Sequence, residues 1–415
     1  MYLGDNLQVM GHLLKEFRGK VDLIYADPPF NSNTDYKKKI ALRGLNKTNC
    51  TTFEEKQYGD IWTDEEYLQF MYDRLSLMRE LLSDRGSIYV HLDEKHAHYI
   101  RLILDEVFGV DSFRREIVWD ITVLSGFKVQ ARNWIRGHDT VLYYSKSSAP
   151  TFNKLYRPHS KAYLDRFNKT NAQGRRYFDG RRNILYLDDV VKKGKPYGDV
   201  WDDIMSFQQT PTAVEKAGYP TQKPQALLER IISASSNPGD IVMDCFMGSG
   251  TTQAAAMKLG RRFIGADVNP NAVQMTTRRL ILAAGKFAAG ENDEMPKYTG
   301  FEVYNVNISD IACNTARAEI IATDGRLMVR SFFPPDLLKK LSMKKGDVAD
   351  WRQLVESIMI DWNYDGVVMR PSVADVPRKN ELVEGNYDIP ANAGTIKVKI
   401  TDLLSESFET KVWCT

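Results

Sequence analysis

Five short runs of apolar and β-branched residues punctuate the first two thirds of the chain, at 21–26, 87–92, 140–144, 240–244 and 262–266. Each is too short for a stable amphipathic helix and reads as a strand. Between them the spacing changes to the helical period. From Glu66 to Leu82, residues Leu68, Met71, Tyr72, Leu75, Met78 and Leu82 fall on one stripe, and from Lys95 to Val107 so do Tyr99, Leu102, Ile103 and Val107. Strands alternating with helices predict an open parallel sheet with helices on both faces, a doubly wound α/β domain whose ligands lie at the carboxyl ends of the strands. The stretch from Asn31 to Trp62 breaks the pattern. It holds Asn31, Asn33, Lys37, Lys38, Lys39, Asn46 and Lys47 without clean periodicity and predicts a mobile lid or a plain surface loop. After the junction Ala283-Ala284-Gly285, alternation in Thr395-Ile396-Lys397-Val398-Lys399-Ile400 and in Thr410-Lys411-Val412-Trp413 predicts strands, and Trp351 to Trp362 predicts a helix. The chain thus divides into 1–288 and a small α+β module, 289–415.

Two strand ends carry candidate chemistry. The first run is followed by Asp27-Pro28-Pro29-Phe30. A carboxylate and a prolyl carbonyl at a strand end can both accept hydrogen bonds from one NH2 group, the prolines offer no N–H to compete, and an aromatic ring can stack on a flipped-out base. An ordinary turn is the plain alternative. Far downstream, Ile241-Val242-Met243-Asp244 leads into Cys245-Phe246-Met247-Gly248-Ser249-Gly250-Thr251-Thr252 and an Ala-rich helical stretch, Gln253 to Leu259. Gly248 and Gly250 permit close approach of a ligand to the backbone, and the helix start offers free N–H groups. The next strand ends in Asp267, placed to reach ribose hydroxyls, so a nucleoside-bearing cofactor is implied. No P-loop Lys follows the turn.

With the segment Tyr219-Pro220-Thr221-Gln222-Lys223-Pro224, these motifs resemble the DNA amino-methyltransferases that use S-adenosylmethionine. The order, catalytic loop first and cofactor turn last, resembles the family's beta group, a circular permutation of the usual Rossmann-like methyltransferase fold. The likeness spans roughly residues 3 to 283 and includes Gly4-Asp5-Asn6, Gly86 to Asp93 and His138 to Lys146. It implies that Asp27, Pro28, Pro29 and Phe30 are catalytic. It also implies that Asp244, Phe246, Gly248, Gly250 and Thr251 surround the methionine end of the cofactor, with Asp27 beside it. Asp267 would bind ribose, Asp5 would lie near the adenine, and Thr221 and Lys223 would close the pocket. In the family an aspartate in the loop mostly accompanies adenine N6 and a serine cytosine N4. Val200-Trp201-Asp202-Asp203-Ile204 adds a likeness to modification subunits of type III restriction systems. The implied activity is methyl transfer to adenine N6 in duplex DNA. Cytosine N4, RNA, or a non-catalytic DNA-binding subunit are the alternatives.

Net charge is only +2, yet residues 151–200 hold twelve Lys or Arg against five Asp, with aromatics interleaved. Such a mix suits phosphate contact and base stacking, and a solvated basic face is the plain alternative. Its position between the two motifs marks 122–212 as an inserted target recognition region, with Lys128, Arg132, Arg136, Arg175, Arg176, Arg181, Arg182, Lys192 and Lys193 as DNA-binding candidates. Cysteines at 50, 245, 313 and 414 form no C-x-x-C pair, and His91, His96 and His98 lack a second ligand cluster, so no metal is expected. With no signal peptide and no apolar run near 18 residues, the reading is a cytoplasmic protein, prokaryotic or phage-encoded, with no membrane partner. For the C-terminal module, DNA gripping, a homodimer contact, and docking of a restriction nuclease or helicase subunit stay open beside simple structural support.

Overall fold

The run Val21–Ala26 forms the middle strand of a nine-stranded sheet in the computed structural model of the chain. The structure describes all residues except 31–33, 43–51, 61–62, 126–129, 131, 181–182, 214, 216–218, 220, 289–299, 307–315, 344–346, 367–368, 370, 378–380, 405 and 414–415; for 34–41, 52–60 and 285–288 only the backbone is described.

Across the sheet the strands run Val200–Trp201, Phe113–Asp120, His138–Ser145, Leu82–Leu92, Val21–Ala26, Ile241–Asp244, Arg262–Asp267, Tyr2–Leu3 and Tyr304–Asn305. All five expected strands are present, three of them longer than expected. One expectation is corrected: the sheet is mixed, because His138–Ser145 runs antiparallel to both of its neighbours, pairing Thr140 with Leu92 and His138 with Asp120. Its residues Val141 to Ser145 are buried, so periodicity could locate the strand but not its direction. Helices Asn6–Phe17, Asp64–Leu81 and Ala97–Phe108 pack Val9, Met71, Leu75, Ile100 and Leu104 against one face of the sheet. Helices Gln225–Ser235 and Thr251–Lys258 cover the other with Leu228, Ile231, Ile232 and Ala255. The start of Asp64–Leu81 is fixed by a capping box in which Thr63 and Glu66 satisfy each other's backbone N–H groups.

The stretch expected to be an unpatterned lid contains an antiparallel hairpin, Thr34–Ala41 with Thr52–Asp60. The lid residues Asn31, Asn33, Asn46 and Lys47 lie outside the described residues, as do the side chains of Lys37, Lys38 and Lys39.

The basic stretch 151–200 folds around a small aromatic cluster. Phe167 is buried with Tyr163 and Phe178 packed on it, and a three-stranded sheet of Lys169–Thr170, Arg176–Asp179 and Ile184–Tyr186 leads into the helix Leu187–Lys193. Several of the interleaved aromatics therefore serve as core.

Toward the C-terminus, Tyr304–Asn305 pairs with Tyr2–Leu3 in the large sheet, so the module's own strands begin at Arg317. Two antiparallel sheets of three and four strands enclose Leu327, Val329, Ile358, Ile360, Val398 and Ile400. The strands Ile396–Asp402 and Ser407–Val412 pair as the alternation suggested. The helix expected at 351–362 is corrected to one 3-10 turn, Trp351–Leu354, followed by the strand Val355–Asp361, whose β-branched Val355, Ile358 and Ile360 favour extended chain. Arg278 joins this module to the large domain through Glu356 and the carbonyl of Pro377, and Leu42, beyond the first hairpin strand, is buried in the module's apolar cluster.

Candidate active site

Pro28 and Pro29 lack the N–H groups that would extend strand pairing, so Asp27 is left at the sheet's carboxyl edge. Lys223 Nζ lies 2.5 Å from Asp27 Oδ2. Oδ1 is buried and accepts no hydrogen bond among the described residues. An unmet carboxylate oxygen out of water is costly and marks where a donor belongs. Phe30 stands beside it, with Lys223 Nζ 5.4 Å from the ring centre and the His91 ring 6.3 Å away. His91 is fully buried, Nδ1 paired with the Tyr25 hydroxyl at 2.8 Å and Nε2 with Asp139 Oδ2 at 3.0 Å. Burial opposes ionisation of Asp139, but the His91 hydrogen bond and the charges of His91, Lys223 and Arg136 hold its carboxyl below the usual range.

The neighbouring strand end brings Asp244, which accepts from the Phe246 N–H at 3.0 Å and the Thr252 hydroxyl at 2.6 Å. Burial pushes Asp244 up to about 7, against those hydrogen bonds, with Asp27 and Asp267 adding to the rise; burial likewise pushes Asp267 up to about 6. Asp267 accepts the N–H groups of Gly248 and Asn269, both at 2.8 Å. Gly248 has φ 51° and a Cβ there would lie 3.2 Å from the Tyr219 ring. Thr251 ties the two halves of the site together: its hydroxyl donates to the Lys223 carbonyl at 3.2 Å and accepts from Arg279 at 2.9 Å. At the other end, Asp5 caps the helix Asn6–Phe17 through Leu7 and Gln8 and pairs with Arg74 at 3.0 Å.

A cleft of about 270 Å³ joins these groups. Asp27, Pro28, Pro29, Phe30, Asp5, Thr221, Lys223, Asp244, Phe246, Gly248, Thr251 and Asp267 all line it. Gly250 does not. At φ 72° its absent Cβ makes room for Thr276, 2.4 Å from where that atom would be, so its task is helix packing. The DNA-binding candidates are dispersed. Arg132 and Arg136 lie on a loop at the sheet's carboxyl edge, with Arg136 paired to Glu94 and Asp139. Arg175 is engaged by Asp188 and Asp189 and Arg176 by the Phe167 carbonyl, whereas Lys192 and Lys193 are exposed at a helix end. Lys128, Arg181 and Arg182 lie outside the described residues.

Residues 21–278, more than half of the chain, match the family model described as DNA methylase, of the N6/N4 methyltransferases. The chain belongs to that family. It is 27% identical to the type II methyltransferase M.EcaI of Enterobacter cloacae, over 78% of this chain and 77% of that protein. It is 31% identical to the DNA adenine methyltransferase YhdJ of Escherichia coli K12, over 64% of this chain and 77% of that protein. The Mod subunit of the type III restriction-modification enzyme StyLTI of Salmonella typhimurium is 26% identical over 62% of this chain and 49% of its own length.

The cleft also holds residues that the motifs alone did not flag. Arg74 and Phe70 line the cleft, the guanidinium lying 3.5 Å from the Phe70 ring centre, and Asn6 bridges Arg74 to the Cys245 carbonyl. Arg74 could have been found, since it interrupts the apolar stripe between Met71, Leu75 and Met78 where a charge needs a buried partner. Tyr25 and His91 carried no such signal, being strand residues among other buried ones.

Proposed function

We propose that this methylase transfers a methyl group from S-adenosylmethionine to adenine N6 in duplex DNA. The buried, unpartnered Oδ1 of Asp27, in one cleft with the Gly248 turn, carries the reading. The cleft suits the cofactor's chemistry: Asp27, Asp244 and Asp267 against Lys223 and Arg74 favour a cation such as a sulfonium, Asp267 can accept from a ribose diol, and Phe70, Phe246 and Val268 offer apolar walls. When bound, S-adenosylmethionine supplies a sulfonium methyl group open to direct SN2 attack.

Lys223 holds Asp27 Oδ2 and leaves Oδ1 for one hydrogen of the target NH2, while the Pro28 carbonyl takes the other. These bonds favour a pyramidal amine, localise its lone pair, and stabilise the positive charge that develops on nitrogen. Phe30 stacks on the extruded base and fixes its distance from the methyl group. The target nitrogen would take the methyl group, the cofactor leaving as the neutral thioether, and the proton shed by the methylated amine would pass to solvent. The aspartate form of the loop and the likeness to YhdJ favour adenine over cytosine N4.

The motif order is that of a circularly permuted methyltransferase, with 122–212 as its target recognition insert and the module beyond 288 as an accessory. Likeness to a Mod subunit makes a restriction partner a candidate for that module. Unmethylated duplex DNA incubated with protein and methyl-labelled S-adenosylmethionine, digested to nucleosides and weighed by mass spectrometry, tests the reading. Labelled N6-methyl-2′-deoxyadenosine is expected; labelled N4-methyl-2′-deoxycytidine would overturn the choice of base, and label only in RNA incubated in parallel would overturn the choice of substrate.

A further inference from the structure

Resting on that reading, we propose that Trp134 enters the duplex at the target site and fills the space left by the extruded base. Its indole is 96% exposed, the most exposed of the large apolar side chains described. Single exposed apolar residues are common, so its placement decides. Phe113–Asp120 and Leu82–Leu92 run parallel to Val21–Ala26, and the loop between Asp120 and His138 therefore leaves and re-enters the sheet at the edge where Asp27 stands.

The neck of that loop is closed. The Ile121 N–H and the Thr122 hydroxyl both donate to the Gly137 carbonyl, at 2.9 and 3.0 Å, and a Cβ on Gly137 would lie 2.5 Å from Thr122 Oγ1. Arg136 pins the returning chain to Glu94 at 2.6 Å and to Asp139, the carboxylate that holds His91 beside Phe30. Trp134 thus lies two residues from Arg136, whose hydrogen bonds through Asp139 reach His91, the ring that packs beside Phe30. The Asn133 side chain accepts the Trp134 N–H at 2.8 Å and braces the backbone, and exposed Arg132 supplies positive charge for a phosphate. A rigid indole on such a mount, facing a polyanion, fits an intercalating side chain that compensates for lost stacking.

The test uses the full chain and the target site mapped from the labelling experiment, in two duplexes: one fully paired, one with the target adenine opposite an abasic position, where extrusion is already cheap. Trp134→Ala should bind S-adenosylmethionine as the wild type does, lose roughly 10- to 100-fold in kcat/KM on the paired duplex, and lose no more than about threefold on the abasic one. Trp134→Phe should recover most of the loss. An equal loss on both duplexes, or none on either, would overturn the wedge. Wild-type protein that labels no site in duplex DNA would instead overturn the reading of the whole site, and Trp134 with it.

Discussion

At the scale of single residues, the site consists of carboxylates put to different uses. Asp27 keeps one oxygen open, so Asp27→Ala should abolish methylation while cofactor binding, weakened by the loss of one cleft carboxylate, stays measurable, as titration calorimetry beside a turnover assay would reveal; undiminished turnover would sink the mechanism. Asp244 and Asp267 are raised in the folded state to about 7 and about 6 from an ordinary 3.8. The unfolded chain therefore releases these protons first, the native state holds more protons through the window, and stability of the ligand-free protein falls as pH rises from about 4 to about 7. Asp244→Asn should remove part of that penalty: on the order of 1–2 kcal/mol more stable than wild type in urea melts at pH 8, with the gain fading toward pH 4. A gain of equal size at both pH values would place its cause in packing instead.

At the scale of elements, the helix Thr251–Lys258 shows how little slack the site has. Seven of its eight residues are buried, and its N-terminal cap is Gly250 in the left-handed region. Gly250→Ala should cost about 2–4 kcal/mol, from the positive φ and the collision with Thr276 together, seen as a lowered melting temperature before any change in chemistry. Sequence conveyed the strand, turn and helix here because glycines, an aspartate and an apolar run sit at fixed spacing. It did not convey that Gly250 faces Thr276, since a turn glycine that faces a ligand and one that faces a helix look alike in one dimension. The strand Val355–Asp361 reads as helix in the sequence for a related reason: seven mostly buried residues, with Val355, Ile358 and Ile360 β-branched, carry no decisive period. His138–Ser145 was found but not its antiparallel direction, which depends on pairing that no local pattern encodes.

At the scale of the molecule, the C-terminal module touches both halves of the site's support. Leu42 follows the hairpin strand after the catalytic loop, and Arg278 belongs to the helix that packs on Gly250. Leu42→Ala should cost about 2–3 kcal/mol and increase protease cleavage between the module and the rest, with the melting profile splitting into two steps; a single unshifted transition would show that Leu42 packs too loosely to couple them. None of this docking was legible beforehand, because the module's amphipathic strands announce a core without announcing a neighbour.

The pairing of Val21–Ala26 with Ile241–Asp244 has one more consequence, for a chain emerging from the ribosome. The strand that carries Asp27 is made early, but one of its two edges has no partner until more than two hundred further residues have been synthesised. Closing so long a loop is slow, and an apolar edge left open invites pairing with other nascent chains. Sequestration during synthesis, by a chaperone or by crowded solvent-side helices, is therefore a condition of yield for this protein, and fragments ending before residue 241 should collect in the insoluble fraction.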